Sequence, residues 1–295
     1  MSATSPAARL RDMLARPGLL LMPCCFDPWS ARLIERAGFP LTFMSGFAVA
    51  AARHALPDTG LLSYAEMVDA GRAIAAAVRI PVIGDGDTGY GNALNVRRTV
   101  AGYAAAGFAA VMIEDQLAPK RCGHTEGKQV VAREEALLRL KAAVDEREAG
   151  ADILILARTD ARATDGLDEA LARAKAFEDL GADIIFVEAP QNEAEMDAVC
   201  RATSRPNLAN MIDGGATPVL PPARLEAMGF RIAAYPIVLL AAATAAMEGA
   251  LKDLAAGRMP RDVASFAHVR NVAGFDDYVA REKDYVQPSE GKTRP

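Results

Sequence analysis

Ala109-Ala110-Val111-Met112-Ile113-Glu114-Asp115-Gln116, continued by Leu117-Ala118-Pro119-Lys120-Arg121-Cys122-Gly123-His124-Thr125-Glu126-Gly127-Lys128-Gln129, is the stretch from which the architecture of this chain can be read. Its first five residues form a short, partly β-branched apolar run, the pattern of a buried strand. Glu114 follows at once, then a segment dense in Lys, Arg, Cys and His and punctuated by Pro119, Gly123 and Gly127. A structural helix carrying so many ionisable groups would need an apolar stripe, and the segment has none. An apolar strand running straight into a polar loop is typical of parallel α/β folds, which place their chemistry at the carboxyl ends of the strands.

The same unit recurs. Apolar runs appear at Leu19–Cys24, Leu41–Met44, Pro81–Gly84, Ala109–Ile113, Ile153–Ala157, Asp183–Val187, Asn207–Ala209 and Arg231–Ala234, with Ala-, Leu-, Arg- and Glu-rich segments of helical spacing between them. Gly38, Gly107, Gly181 and Gly229 each stand where a helix should stop and turn into the next strand. Eight strand-helix units predict a (β/α)8 TIM-type barrel. A doubly wound open sheet is the alternative, but no Gly-rich dinucleotide turn follows the first run. No internal linker is visible, so residues 1–295 read as one domain with its core over about 10–275, a further helix at Ala242–Ala256 and a disordered polar tail at 287–295.

Composition narrows the class. The chain has 295 residues, 51% hydrophobic and 24% charged, with a formal net charge of -5, which argues against a nucleic-acid partner. No run of about eighteen apolar residues marks a membrane span. The segment MSATSPAARLRDML has no apolar stretch ahead of its charges, so cytoplasmic residence is expected. Cys24, Cys25, Cys122 and Cys200 show no zinc or disulfide spacing; the adjacent Cys24 and Cys25 are expected to be buried.

In a barrel, the residues that follow the runs form one ring: Ser45 and Gly46, Asp85 and Asp87, Glu114, Arg158, Glu188, Asn210 and Tyr235. Asp85, Asp87 and Glu114, with Glu188 beyond, make an oxygen-rich set suited to Mg2+, with Mn2+ as the alternative. The competing role for Asp85 and Asp87 is to cap the next helix. Arg158 closes an apolar strand and suits a bidentate carboxylate clamp, or else pairs with Glu188 or Asp160. Ser45-Gly46-Phe47 and Asn210-Met211-Ile212-Asp213-Gly214-Gly215 are loops able to present backbone N–H groups to an anion. Cys122, with Lys120, Arg121 and His124 nearby, stands where cations favour the thiolate. His54 and His268 have no evident partner.

Asp85-Gly86-Asp87-Thr88-Gly89-Tyr90-Gly91, Ile113-Glu114-Asp115-Gln116, Lys120-Arg121-Cys122-Gly123-His124, Gly127-Lys128, Arg158-Thr159-Asp160, Val187-Glu188-Ala189-Pro190 and Asn210 together closely resemble the isocitrate lyase and phosphoenolpyruvate mutase superfamily over residues of about 10–275. The resemblance implies a barrel with extra C-terminal helices swapped between partners of a homotetramer. It also implies Mg2+ and an enolate or oxyanion intermediate of an α-keto or α-hydroxy acid. The Lys-Arg-Cys-Gly-His loop is similar to that of the lyase branch, in which the cysteine donates a proton to a carboxylate enolate. Cys122, Lys120 and His124 are then the catalytic candidates. Ser45, Gly46, Phe47, Gly123, Arg158, Glu188 and Asn210 are the candidates for binding a di- or tricarboxylate.

Within that branch, methylisocitrate lyases carry Ser-Gly-Gly where this chain has Ser45-Gly46-Phe47, and an arginine for the third carboxylate where it has Ala241; Arg270 is a candidate for a second such arginine. The chain looks closer to the 2,3-dimethylmalate lyase and petal death protein group, whose members cleave 2-alkylmalates. The resemblance therefore implies retro-aldol cleavage of a 2-hydroxy dicarboxylate to pyruvate and a second carboxylate. Alternatives are methylisocitrate or isocitrate cleavage, oxaloacetate hydrolysis or decarboxylation, and phosphonopyruvate-type mutase or hydrolase chemistry.

Overall fold

The computed structural model describes residues 4–122 and 127–285. Its strands are β1 (Leu20–Cys25), β2 (Thr42–Met44), β3 (Val82–Asp85), β4 (Ala110–Glu114), β5 (Leu154–Thr159), β6 (Ile184–Val187), β7 (Leu208–Asn210) and β8 (Ile232–Tyr235). The helices are α1 (Pro6–Ala15), α2 (Pro28–Arg36), α3 (Gly46–His54), α4 (Tyr64–Ala77), α5 (Ala93–Ala105), α6 (Arg133–Glu148), α7 (Ala161–Thr164), α8 (Leu167–Leu180), α9 (Glu193–Ala202), α10 (Pro222–Met228), α11 (Val238–Ala255), α12 (Phe266–Ala273) and α13 (Phe275–Glu282). Every one of the eight expected strands is present, most displaced by one residue toward the C-terminus. Asp85, Glu114, Arg158, Asn210 and Tyr235 are consequently within their strands rather than just after them.

The strands pair in parallel in the order β6-β5-β4-β3-β2-β1-β8-β7. A parallel bridge between Ile185 and Asn207 joins β6 to β7 and closes the barrel. Alternation along each strand then sorts the side chains into two cores. Met22, Cys24, Phe43, Ile83, Ala110, Met112, Leu154, Leu156, Ile184, Phe186, Leu208 and Ala234 fill the interior, and Leu10 of α1 joins them. Val111, Ile113, Ile155, Ala157, Ile185 and Val187 point outward against the helices. Cys24 and Cys25 are both buried, one in each core, as adjacent residues of a strand must be.

Helix ends follow local chemistry. Asn92 caps α5, its side chain accepting from Leu94 N at 2.9 Å and Asn95 N at 3.2 Å. The capping role considered for Asp85 and Asp87 is therefore taken by Asn92. Gly181 and Gly229 close α8 and α10 in the left-handed conformation, with φ of 101° and 105°.

Residue contacts divide the chain into two units, 1–242 and 243–295. The first is the barrel. The second holds most of α11, which begins earlier than the expected Ala242, together with α12 and α13. Within it the Arg270 guanidinium lies 6.0 Å from the Phe266 ring centroid and 4.9 Å from that of Phe275. Met247, Leu251 and Leu254 of α11, Phe266 of α12 and Tyr278 of α13 are exposed. Among the described residues no helix is long and apolar enough to cross a membrane. The expected disordered tail at 287–295 lies outside the described residues.

Candidate active site

Inward parity builds the site. Ala110 and Met112 face the barrel interior, so Glu114 does too; Leu154 and Leu156 are followed in the same way by Arg158. Ile184 and Phe186 lead to Glu188, Leu208 to Asn210, Ile83 to Asp85 and Phe43 to Ser45. Each strand changes from apolar to polar at its carboxyl end, and a cavity of about 190 Å³ opens there, lined by all six of these residues and by Cys24, Phe47, Asp58, Lys120, Arg121 and Cys122. Phe43, Phe47, Phe186, Leu208, Ile212 and Ile237 add apolar surface to its lining.

Two charged clusters make up the rest of the lining. In the first, the Asp85 carboxylate accepts from Gly46 N at 3.0 Å and from Asp87 N at 3.1 Å. Asp87 has a left-handed φ of 47°, an uncommon conformation for a non-glycine residue that turns the chain back toward β4, where Glu114 N donates to Asp87 O at 2.9 Å. Lys120, nearly buried, forms ion pairs with Asp58 and with Asp87 Oδ1, the latter at 2.8 Å. Burial alone would discharge Lys120, but Asp87, Asp85, Glu114 and Asp58 outweigh it and push its pKa up. Burial raises Asp87 to about 6, with Lys120 opposing and Asp85 reinforcing the shift.

In the second cluster, Arg158 donates to Asp160 through Nε at 2.8 Å and Nη2 at 3.0 Å. It also lies 3.2 Å from Glu188 and 3.4 Å from Glu114, its partner in strand register. Its guanidinium stands 5.1 Å from the Phe186 ring centroid. Lys128 donates to Asp160 from the other side at 2.9 Å. Asn210 Nδ2 donates to Glu188 Oε2 at 3.2 Å. Both pairings weighed for Arg158 are thus realised together. Burial pushes Glu114 well above the usual carboxylate range despite Arg158.

The carboxylate half fits a hard divalent cation. Six carboxylates, from Asp58, Asp85, Asp87, Glu114, Asp160 and Glu188, surround three buried cationic side chains, those of Lys120, Lys128 and Arg158. Glu114 Oε1 is buried without a hydrogen-bond donor, whereas Asp87 Oδ1 has the Lys120 ammonium at 2.8 Å. Buried anionic oxygens left without donors are costly unless a cation completes them. Among the described residues no three His, Cys, Asp or Glu side chains converge as direct ligands. Asp85, Asp87 and Glu114 would hold such a cation only together with water, as Mg2+ commonly allows.

Several expectations need correction or sharpening. Gly46 N–H, expected to bind substrate, is committed to Asp85, and Ser45 N to Cys25 O at 3.1 Å. The Ser45 hydroxyl accepts from Ala48 N at 3.3 Å as the cap of α3 and lines the cavity, as does Phe47. A Cβ at Gly46 would stand 2.5 Å from Asp85 Oδ2, so glycine there serves the carboxylate. Lys120, expected as a cation beside the thiol, is held by Asp58 and Asp87. Cys122 is half-buried and lines the cavity. Gly123 and His124 lie outside the described residues. Tyr235, expected in the ring, packs instead with the outward core, as alternation from the inward Ala234 requires, and neither it nor His54 lines the cavity. Asp58 was not anticipated: it lies between α3 and α4 rather than at a strand end, and only Pro57 and Gly60 marked its turn.

The family described as phosphoenolpyruvate phosphomutase matches residues 10–255. A 2,3-dimethylmalate lyase of Eubacterium barkeri is 43% identical, covering 95% of this chain and 98% of its own. A probable 2-methylisocitrate lyase of Corynebacterium glutamicum is 44% identical over 86% of this chain and 83% of its own. The solved structure of an oxaloacetate acetylhydrolase with the inhibitor 3,3-difluorooxalacetate superposes with a TM-score of 0.92 at 34% identity, covering 97% of this chain and 98% of its own.

Proposed function

The chain belongs to the phosphoenolpyruvate phosphomutase family and stands among its carbon-carbon lyases, and we propose that it cleaves a 2-hydroxy dicarboxylate of the 2-alkylmalate class into pyruvate and a carboxylate. One observation carries this reading. Cys122 shares a single cavity with the buried carboxylates, with Arg158 and with apolar side chains able to take alkyl groups.

Asp85, Asp87 and Glu114 would hold Mg2+, which would supply Lewis-acid polarisation of the substrate's oxygens when bound. Arg158 presents a planar donor toward the substrate's oxygens while Asp160 and Glu188 keep it charged and oriented. The 2-hydroxyl gives up its proton to the carboxylate-rich half, the C2–C3 bond breaks, and C2 becomes the ketone of pyruvate. The bonding pair moves onto C3 and its carboxylate as an enolate, and the Cys122 thiol delivers a proton to C3. Asn210 and the Ser45 hydroxyl face the same volume and orient the leaving carboxylate. Phe47, Leu208, Ile212 and Ile237 favour alkyl substituents over a third carboxylate, since a buried anion without a partner is strongly disfavoured.

A second reading, hydrolysis of oxaloacetate, is supported by the likeness to the acetylhydrolase structure. Assay of 2,3-dimethylmalate, citramalate, malate, methylisocitrate, isocitrate and oxaloacetate with Mg2+ separates them. Pyruvate formed fastest from an alkylmalate supports the lyase; oxalate formed fastest from oxaloacetate supports the hydrolase and overturns the first proposal. The apolar side chains exposed on α11, α12 and α13 support the swapped homotetramer implied by the resemblance, with the enzyme working in the cytoplasm on small molecules.

A further inference from the structure

We propose that Gln116 is the positioning residue for Cys122, its side-chain amide clamping the main chain of Arg121 so that the next residue is held at the cavity. Gln116 is 1% exposed. Its Nε2 donates to Arg121 O at 2.9 Å, and its Oε1 accepts from Arg121 N at 2.9 Å. Both ends of the amide are spent on the backbone N–H and C=O of one residue of the loop, a pattern that neither an ionised glutamate nor an apolar side chain can reproduce.

The anchor itself is rigid. Arg139 of α6 donates to Gln116 O at 2.9 Å, and Arg173 of α8 donates to Asp115 Oδ2 at 3.0 Å and to Val131 O at 2.9 Å. Both arginines are buried. Leu117 N donates to Gln129 O at 2.8 Å, and Gln116 bridges Val130 in antiparallel fashion, so the outgoing and returning limbs of the loop are tied at the root. On one side of Cys122 the chain is then fixed twice: at Lys120 by ion pairs with Asp58 and Asp87, and at Arg121 by the Gln116 amide. Ion pairs at the tip of a long lysine locate a charge, whereas bonds to the peptide units on both sides of Arg121 fix the direction in which the following side chain leaves the backbone. A proton donor needs that direction.

What the held thiol does rests on the lyase proposal above; the clamp does not. The test compares wild type with Gln116→Met and with Gln116→Glu, which keeps the acceptor for Arg121 N–H but loses the donor to Arg121 O. Four quantities are read: kcat and KM on the fastest alkylmalate, the rate at which iodoacetamide alkylates Cys122 as followed by peptide mass, and the thermal midpoint. For Gln116→Met we expect kcat to fall on the order of 10²-fold with KM within about threefold. Cys122 alkylation should change by at least about fivefold as the thiol's surroundings change. The thermal midpoint should stay near wild type, and Gln116→Glu should fall between the two. Unchanged alkylation in both variants overturns the clamp, and changed alkylation with unchanged kcat overturns the positioning role. If the wild type turns over none of the alkylmalates, the lyase proposal fails and alkylation alone decides the clamp.

Discussion

Replacing Asp160 by asparagine removes one negative charge and almost no volume from a position with no exposed surface. Three donor bonds converge on it, from Arg158 Nε at 2.8 Å, Arg158 Nη2 at 3.0 Å and Lys128 Nζ at 2.9 Å. Asparagine turns an N–H₂ toward one of those donors and leaves two buried cations short of countercharge. Arg158 keeps Glu188 at 3.2 Å and Glu114 at 3.4 Å, so the loss is partial on that side. Breaking a buried pair costs about 3–5 kcal/mol, and the retained contacts place the expected loss near the lower end. The pH dependence carries a sign. Burial by itself would raise the Asp160 pKa, but Arg158 and Lys128 hold it well below the usual range. A carboxylate depressed in the folded state contributes its full stability above its unfolded pKa of about 3.9 and loses it as pH falls toward the folded value. Urea unfolding followed by circular dichroism should therefore show a gap between wild type and variant that is constant from pH 8 to about 5 and narrows below about 4. A gap under ~1 kcal/mol at pH 7, or one that widens on acidification, would refute this account of Asp160.

Other perturbations address the chemistry. Cys122→Ser should lower kcat by about 10²–10⁴-fold while divalent cation binding by calorimetry is unchanged; full turnover would remove Cys122 from the proton-donor role. Gly46→Ala places a Cβ 2.5 Å from Asp85 Oδ2, so Mg2+ affinity measured by activity titration and calorimetry should weaken by roughly 10–100-fold with the far-ultraviolet spectrum intact. With burial raising Asp87 to about 6, protons compete with the cation below that pH, and apparent Mg2+ affinity should fall as pH drops from 7 to 5; a flat profile would place the cation elsewhere.

Much of this site was legible because strand periodicity is local. Once Met112 is assigned to the interior, Glu114 must face the same way, and the same step of two carries Leu156 to Arg158 and Ile83 to Asp85. The change from apolar to polar at each strand end is written in consecutive residues. Strand boundaries were displaced by one because the polar end residue still pairs in the ladder, a fact of neighbouring strands rather than of its own type.

Pairings across long separations were not legible. Asp58 and Lys120 meet from loops 62 residues apart. Gly46 N–H reads as an anion donor for a substrate until the fold puts the Asp85 carboxylate 3.0 Å away. Gln116 has no feature in the sequence to separate it from any buried amide, and only the return of the loop places Arg121 against both ends of its side chain. From the sequence alone come the eight strands and the chemical types gathered at one end of the barrel, since these depend on residues that follow one another along a single strand. Which carboxylates remain without a donor, which cations are already paired and what aims Cys122 were decided by tertiary structure, because charge balance and hydrogen bonding belong to groups that meet only after the barrel has closed.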